Sequence, residues 1–311
     1  MLSKKTINKA LVTGGCGFIG GHLVDELIRR GKQVVVVDNE SSVSAEKYYY
    51  NKKAAYMNWD ILFDQMELIF KYSNIDTVFH LAAKSRIPYS VENPAEVCEN
   101  NFTGTLKLLE LSRRHGIKRF IYSSTSSVYG LKNEIPLTEN MKRDCLNPYS
   151  VSKAAGEDLC KIYHSLYGLE TVIFRYFNVY GERQPLKGSY APVVGIFYRQ
   201  KENGEPMTIV GDGLQTRDFT HVSDVVEANF LAAETLNSDV FGEVMNVGAG
   251  QNHSILNIAR MIEGKYVHIP ARKGESEHTL ADTNKIKKLL GFEPKIKLED
   301  WIENKNNETK V

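Results

Sequence analysis

The chain is poor in the residues and spacings that mark metal-binding and disulfide-rich proteins. Its 311 residues include four cysteines, and these are far apart: Cys16, Cys98, Cys145 and Cys160. They form neither a CxxC pair nor a Cys/His zinc spacing, and the eight histidines form no HExxH pair. We therefore expect the cysteines to pack as small apolar side chains, and we expect a protein without a metal ion.

Long apolar runs and a large net charge are also missing. No apolar run approaches the 18 residues that a membrane-spanning helix needs, and residues 1–9 are too polar for a secretory signal. Lysine and arginine number 39 against 38 aspartates and glutamates, whereas a domain built to bind nucleic acid would be far more positive. We expect a cytoplasmic protein that binds neither membranes nor nucleic acid.

What the chain does contain is the composition of an ordinary globular protein. Hydrophobic residues make up 42% and charged residues 25%, which excludes a disordered chain and a coiled coil. There is no internal repeat and no low-complexity tract. At roughly 150 residues per domain, the length predicts about two domains.

Short apolar runs alternate with amphipathic stretches over the first 178 residues. The predicted strands are Ala10–Thr13, Val34–Val37, Thr77–Ala83, Arg119–Ser123 and Thr171–Phe177, and the predicted helices are Phe18–Arg30, residues 102–115 and Tyr149–Tyr167. Continuous valine and isoleucine runs are typical of a parallel sheet covered on both faces, and the βα alternation indicates the same arrangement. We predict an α/β fold built on a Rossmann-type doubly wound parallel sheet.

Beyond residue 178 the loops lengthen and the elements shorten. The predicted strands here are Met207–Val210, Val244–Val247 and Lys265–Ile269, and the predicted helices are Ser223–Thr235 and Ile255–Glu263. We predict that residues 1–178 form a cofactor-binding domain, to which residues of about 215–250 return. Residues 179–214 and 251–311 are expected to form a smaller mixed α/β substrate domain.

Three glycines with GxxGxxG spacing lie at the first strand–helix junction: Gly14, Gly17 and Gly20. Glycine permits a tight turn and a close approach of the backbone to a pyrophosphate, and the helix N-terminus offers free N–H groups. Asp38 ends the second strand, near the position where an acid binds ribose hydroxyls. Because a carboxylate there would repel a 2′-phosphate, the pattern favours NAD over NADP.

A tyrosine–lysine pair and a run of hydroxyl residues predict acid–base chemistry. Tyr149 and Lys153 have the i,i+4 spacing that places both side chains on one helix face, where the ammonium lowers the pKa of the phenol. Tyr48 and Lys52 match the same pattern, but in a polar stretch that we predict to be a solvated loop. Residues 123–127 are all serine or threonine at a predicted strand end, where open sheets bind ligands.

Together these segments resemble the extended short-chain dehydrogenase/reductase family, and within it the nucleotide-sugar 4-epimerases. The resemblance covers about residues 10–302. The matching segments are TGGCGFIG (13–20), Asp38, Asp60-Ile61, HLAA (80–83), NNFTG (100–104), SSTSSVYG (123–130), YSVSK (149–153), RYFNVYG (175–181), TRDF (216–219) and the RKGE…AD stretch (272–282).

The resemblance implies NAD as cofactor and assigns roles to individual residues. Tyr149 would be the base, Lys153 would hold the nicotinamide ribose, and Thr125 would complete the catalytic set. The implied cofactor-binding residues are Gly14, Gly17, Phe18, Ile19, Gly20, Asp38, Asn39, Asp60, Ile61, Leu81, Ala82, Ala83, Asn100, Ser123, Tyr149, Lys153 and Tyr176. The implied substrate-binding residues are Thr125, Tyr149, Asn178, Val193, Arg217, Arg272, Glu275 and Thr279. Arginine suits the diphosphate because its planar fork matches two phosphate oxygens.

At some positions this sequence differs from related enzymes, and these differences reduce the number of activities that the resemblance implies. In the nucleotide-sugar 4,6-dehydratases, the two residues after the catalytic threonine resemble Asp-Glu, whereas here they are Ser126 and Ser127. Decarboxylating relatives carry a glutamate at the position of Ser127. Thr279 stands at a gatekeeper position and leaves room for an N-acetyl group, while Arg86 stands where many relatives have serine or histidine and has no assigned role.

We predict an NAD-dependent UDP-sugar 4-epimerase that works through a transient 4-keto sugar. The expected pairs are UDP-glucose/UDP-galactose, UDP-GlcNAc/UDP-GalNAc, or both. The alternatives are a UDP-uronic acid or GDP-sugar epimerase, a 4,6-dehydratase, a 4-keto reductase and, more remotely, a catalytically silent NAD-binding regulator. The resemblance also implies a homodimer through helices 102–115 and 149–167, whose Leu106, Leu109 and Leu159 suit an interface and a core equally.

Overall fold

The structure, a computed structural model, describes residues 6–42, 47–186, 191–271 and 276–308. The strands in chain order are Lys9–Thr13 (β1), Gln33–Val37 (β2), Ala55–Met57 (β3), Thr77–His80 (β4), Arg119–Thr125 (β5), Glu170–Tyr176 (β6), Val179–Tyr180 (β7), Met207–Val210 (β8), Thr216–Asp218 (β9), Thr220–His221 (β10), Val244–Val247 (β11), Asn252–Ser254 (β12) and Tyr266–Ile269 (β13).

The α-helices are separated by these strands or by short turns. In chain order they are Phe18–Arg29 (α1), Met66–Tyr72 (α2), Ile87–Glu92 (α3), Pro94–Cys98 (α4), Gly104–Arg114 (α5), Pro148–Tyr167 (α6), Val193–Glu202 (α7), Val222–Glu234 (α8), Ile255–Ile262 (α9), Asn284–Leu290 (α10) and Leu298–Glu308 (α11). A π-helical turn, Glu99–Thr103, joins α4 to α5. Among the described residues, no helix is both long and apolar enough to cross a membrane.

Seven parallel strands form the central sheet in the order β11-β6-β5-β4-β1-β2-β3. This order confirms the predicted Rossmann-type doubly wound sheet. From β1 the chain adds β2 and β3 on one side, and then β4, β5 and β6 on the other, so the strand order switches between β1 and β4. Open sheets of this kind bind ligands at the carboxyl ends of the strands beside such a switch point.

Helices cover both faces of this sheet, which explains the continuous apolar runs. Along β1, Ala10 and Val12 pack with α1 and α8, whereas Leu11 between them packs with α2, α5 and α6. Successive side chains of a strand point to opposite faces, so a strand buried on both sides must be apolar at every position.

A smaller mixed unit packs around its own apolar core. Its core residues come from α7, α9, α11 and β8, and strand β13 pairs in parallel with β8. Strand β11 instead pairs with β6 as the outer strand of the main sheet, and α8 contacts α1. The exact domain boundaries stay a prediction.

The structure differs from the sequence-based prediction at several places. Strand β4 ends at His80, not Ala83, and the helix predicted over residues 102–115 begins at Gly104 behind the π turn. The solvated loop predicted around Tyr48 is wrong in part, because Tyr48 is half-buried against the apolar core and its hydroxyl donates to the Glu40 carbonyl. Leu109, one of the three leucines considered for an interface, is fully buried.

Candidate functional site

A cavity of about 480 Å³ lies at the carboxyl edge of the main sheet, next to the switch point. Its walls come from the loops after β1, β2, β4, β5 and β6 and from the first turn of α6. The predicted site residues that line it are Gly14, Gly17, Phe18, Ile19, Gly20, Asp38, Asn39, Ile61, Leu81, Ala82, Ala83, Asn100, Ser123, Thr125, Tyr149, Lys153, Tyr176 and Asn178.

The glycine turn before α1 is packed so closely that side chains would not fit. Gly14 has φ +73°, and a Cβ there would lie 2.7 Å from the Ala82 nitrogen. A Cβ on Gly20 would overlap the Gly14 carbonyl oxygen. The N-cap of α1 is Gly17, so no side chain bonds the first N–H groups of the helix. These groups face the cavity and suit a dinucleotide pyrophosphate.

An acid, Asp38, follows β2 and lines the cavity. The Asp38 carboxylate accepts hydrogen bonds from the backbone N–H groups of Cys16, at 2.9 Å, and Glu40, at 2.8 Å. Burial raises the pKa of this carboxyl above its usual value. Asp60 does not line the cavity; it accepts a 2.7 Å bond from the Asn39 side-chain amide and so positions Asn39.

The first two turns of α6 carry the tyrosine–lysine pair into the cavity. Asn147 caps the helix, because its side chain accepts from the Ser150 N–H while the Ser150 hydroxyl accepts from the Asn147 N–H. This capping box fixes where the helix begins and therefore where Tyr149 and Lys153 lie. Thr125, at the end of β5, lines the cavity together with Tyr149 and acts to lower the pKa of the Tyr149 phenol.

Burial dominates the electrostatics of this pair. Tyr149 is half-buried; this burial raises its pKa, while the contribution of Thr125 lowers it. Lys153 is 2% exposed, its Nζ lies 4.2 Å from the centre of the Tyr122 ring, and burial lowers its pKa to about 7. Burial favours the neutral form of each of the two side chains taken alone. When the tyrosine is ionised, the tyrosinate and the lysine ammonium stabilise each other's charge.

A buried ion pair joins α6, the helix of Tyr149 and Lys153, to β6. Glu157 accepts from both Arg175 and the Ser124 hydroxyl, and the Arg175–Glu157 separation is 2.6 Å. The charge of Glu157 opposes the fall in the pKa of Lys153. The sequence analysis missed these groups, although Glu157 follows Lys153 by four residues and therefore shares its helix face.

The loop after β4 is tied to α6 by a buried amide. The Asn101 side chain accepts from the Lys84 N–H at 2.8 Å, donates to the Lys84 carbonyl at 3.2 Å, and donates to the Ser152 hydroxyl at 3.0 Å. Because Ser152 lies between Tyr149 and Lys153 on α6, the loop and this part of the helix are held together. The sequence analysis had assigned no role to Asn101.

Several predicted substrate-binding residues lie away from this cavity. Val193 starts α7 and packs against the core of the smaller unit. Arg217 donates to the carbonyls of Thr216, at 2.9 Å, and Glu277, while the Thr279 hydroxyl accepts from the Asp218 N–H. The remaining two residues, Arg272 and Glu275, fall outside the described residues. Within the described ranges, no group of three or more His, Cys, Asp or Glu side chains comes together as a metal site.

The sheet, the glycine turn and the acid after β2 define a dinucleotide-binding protein, and comparison with known proteins specifies its family. The model of the NAD dependent epimerase/dehydratase family matches residues 10–248, and the chain belongs to this family. It is therefore an NAD-dependent enzyme of the UDP-sugar epimerase group. A putative UDP-glucose 4-epimerase of Methanocaldococcus jannaschii is 36% identical to it, over 95% of this chain and 99% of the relative.

Solved structures give the same family with different sugars. The UDP-glucose 4-epimerase of Thermotoga maritima, solved with UDP-glucose, is 37% identical with a TM-score of 0.89, over 97% of this chain and 98% of that one. The UDP-glucuronic acid 4-epimerase of Bacillus cereus, solved with UDP-glucuronic acid and NAD, is 34% identical with a TM-score of 0.84, over 97% and 99%.

Proposed function

We propose that the protein is a UDP-sugar 4-epimerase. The observation that carries the proposal is that Thr125, Tyr149 and Lys153 line the same cavity as the glycine turn. NAD, when bound, supplies the acceptance and return of a hydride. The chain itself must bind the nucleotide sugar, move the proton of the 4-hydroxyl and let the 4-keto sugar turn over.

Tyr149 is the group that moves the proton. The Thr125 hydroxyl lines the same cavity, so we expect the two oxygens together to hold a sugar hydroxyl between them. Tyr149 takes the proton when the sugar is oxidised and returns it when the sugar is reduced on the opposite face. Lys153, on the same helix face, stabilises the tyrosinate with its positive charge.

The hydroxyls after β5 favour epimerisation over elimination or decarboxylation. Ser126 and Ser127 line the cavity, and the Thr125 and Ser127 hydroxyl oxygens lie 3.1 Å apart. A dehydratase needs a carboxyl acid and base at these two positions to remove water, and hydroxyl groups do not supply them.

We propose that the nucleotide is bound by residues on the side of the sugar away from Tyr149. Asn178 lines the cavity beyond β6 and is proposed to contact the diphosphate. Arg217 and Arg272 are proposed for the same diphosphate, Glu275 for the ribose, and Val193 and Thr279 for the region around the sugar.

We also propose that the enzyme is a homodimer through α5 and α6. Helix α6 has an apolar stripe at helical spacing, and three of its members are well exposed: Val151 at 50%, Ile162 at 50% and Leu166 at 66%. The half-buried Leu159 continues this stripe. Apolar side chains exposed in this way on a charged helix are more stable against the same stripe of a second copy of the chain than against water.

The decisive experiment is an NMR assay with the NAD-loaded protein. We expect interconversion of a UDP-sugar and its 4-epimer, and Tyr149→Phe should lower the rate by about 10²- to 10⁴-fold because the base is lost. Tyr72→Phe, an exposed tyrosine at the end of α2, is the matched control and should keep the rate. If NAD is bound and no UDP-sugar reacts, the epimerase proposal is wrong.

A further inference from the structure

Three buried polar side chains connect α6 with the sheet next to the cavity. Ser124 belongs to β5, Arg175 to β6 and Glu157 to α6. Each of them is at most 4% exposed. Ser124 and Arg175 are direct neighbours in the pairing of β5 with β6, so one side chain from α6 reaches both.

The carboxylate of Glu157 binds both strand residues at once. Its Oε1 accepts from the Ser124 hydroxyl at 2.5 Å and from the Arg175 Nε at 2.9 Å, and its Oε2 accepts from the Arg175 Nη2 at 2.6 Å. Burying two opposite charges costs so much solvation that an apolar pair of similar volume would be about as stable. Stability alone therefore does not account for this ion pair.

Glu157 is one step away from two of the proposed catalytic side chains. Ser124 directly precedes Thr125, and both line the cavity. Glu157 follows Lys153 by four residues and so shares its helix face. Because its carboxylate joins the end of β5 to α6, it fixes where Thr125 lies relative to the helix that carries Tyr149. Glu157 itself does not line the cavity.

The negative charge of Glu157 also acts on the Lys153 ammonium. Other titratable groups around Lys153 are neutral near pH 7, because burial lowers the pKa of the histidine and raises the pKa of the tyrosines and the cysteine. They are His80 on β4, Tyr122 on β5, and Tyr149 and Cys160 on α6. Arg175 on β6 is the cation that Glu157 already binds. A buried ammonium holds its proton more tightly beside a carboxylate, so Glu157 favours the charged form of Lys153.

We propose that Glu157 is a positioning residue of the reaction, which holds Thr125 in place through Ser124 and keeps Lys153 charged. The inference rests on the proposed function, since Thr125 and Lys153 take part in it. It assigns the Glu157–Arg175 pair to the chemistry of the site rather than to the stability of the fold.

The hydroxyl of Ser124 tests the first part of this role. In the NAD-loaded enzyme, Ser124→Ala removes the bond to Glu157 and leaves the ion pair with Arg175 in place. We expect kcat to fall about 10-fold, the effect of losing one hydrogen bond to a charged group, while KM for the UDP-sugar changes little. Ser112→Ala removes another fully buried serine hydroxyl, on α5, and is the matched control that should keep kcat. An unchanged kcat in Ser124→Ala would overturn the inference.

The pH dependence of kcat tests the charge of Glu157. Glu157→Gln keeps an acceptor for Ser124 and removes the charge, so Lys153 should lose its proton at a lower pH. The alkaline limb of kcat should then move about one unit toward lower pH, whereas a purely structural loss would lower kcat and leave the limb in place. Because Glu157→Gln leaves Arg175 buried without its partner and can unfold the chain, Glu157→Gln/Arg175→Met removes both charges. This double variant should fold and move the limb in the same direction.

A titration without turnover separates this inference from the proposed function. Carbon-13 NMR of lysine-labelled, NAD-loaded protein follows the proton of Lys153, whose signal is identified by its loss in Lys153→Met. We expect the pKa of Lys153 to be lower in the double variant than in the wild type. If this shift is found but no UDP-sugar reacts, the epimerase proposal fails and the role of Glu157 at Lys153 stands. If neither the titration nor the alkaline limb moves, Glu157 serves the fold alone and the inference is overturned.

Discussion

Single residues of the site show how strongly burial controls its chemistry. Tyr149 and Lys153 were predicted from a local spacing of four residues, and a capped helix places both on the cavity. The sequence could not predict Asn101 or Arg175, because their contacts join residues far apart in the chain. For the same reason, the sequence could not show that the Asp60 carboxylate contacts Asn39 and does not line the cavity.

The buried ammonium of Lys153 should make stability depend on pH. In the folded chain its pKa is about 7, and in the unfolded chain it returns toward 10.5. Below pH 7 both states hold the proton and the folded state bears the full cost of burying a charge. Between pH 7 and 10.5 the unfolded chain binds more protons, so this cost falls and stability rises with pH.

Lys153→Met should therefore stabilise the NAD-free chain most at low pH. We expect the free energy of unfolding to rise by about 1–4 kcal/mol at pH 6, with a much smaller gain at pH 9.5. Urea unfolding at the two pH values measures the difference. Lys118→Met, at an exposed lysine just before β5, is the control and should change neither value much. An equal gain at both pH values would contradict the assigned cause.

Whole elements were predictable where their pattern is long and continuous. Strands β1, β2 and β5 are buried on both faces, so their apolar runs stand out in the sequence. Strand β3 has three half-exposed or exposed residues at the sheet edge, and α2 has seven residues; neither is long enough to show a clear period. The π turn was also missed, although it directs Asn100 to the cavity and Asn101 to the loop after β4.

The junction of β1 with α1 should respond differently to two glycine substitutions. Gly20→Ala forces a Cβ into the Gly14 carbonyl and the Gly15 backbone, so we expect a loss of about 1–3 kcal/mol of stability and of bound NAD. Gly17→Ala meets a single atom, the Gly14 oxygen at 3.4 Å, so its stability should stay close to wild type while the methyl group weakens NAD binding. Thermal unfolding and the NAD content of the purified proteins test this, and equal destabilisation by both variants would refute it.

At the scale of the whole molecule, the sequence predicted the doubly wound sheet, whereas the division into two domains stays a prediction. The change in loop length after residue 178 is visible in the sequence because it is a local property. The positions of Arg217 and Thr279 depend on how β9 lies against the chain near residue 278, which no local pattern reports.

At this scale, the exposed stripe of α6 predicts the state of assembly. Leu166→Glu places a charge in the proposed dimer contact, so light scattering after gel filtration should show a shift from dimer to monomer at micromolar concentration. Leu236→Glu is the matched control, since Leu236 is similarly exposed but follows α8 on the other face of the sheet. A wild-type monomer, or dimers in both variants, would contradict the proposed contact.

The return of β11 and α8 to the main sheet limits which fragments of this protein can fold on their own. A fragment ending at residue 178 would have β6 as an unprotected edge strand and would leave the apolar side of α1 without its α8 neighbour. An exposed parallel edge with an uncovered apolar face is prone to aggregation. We therefore expect residues 1–178 to need β11 and α8 in order to fold stably.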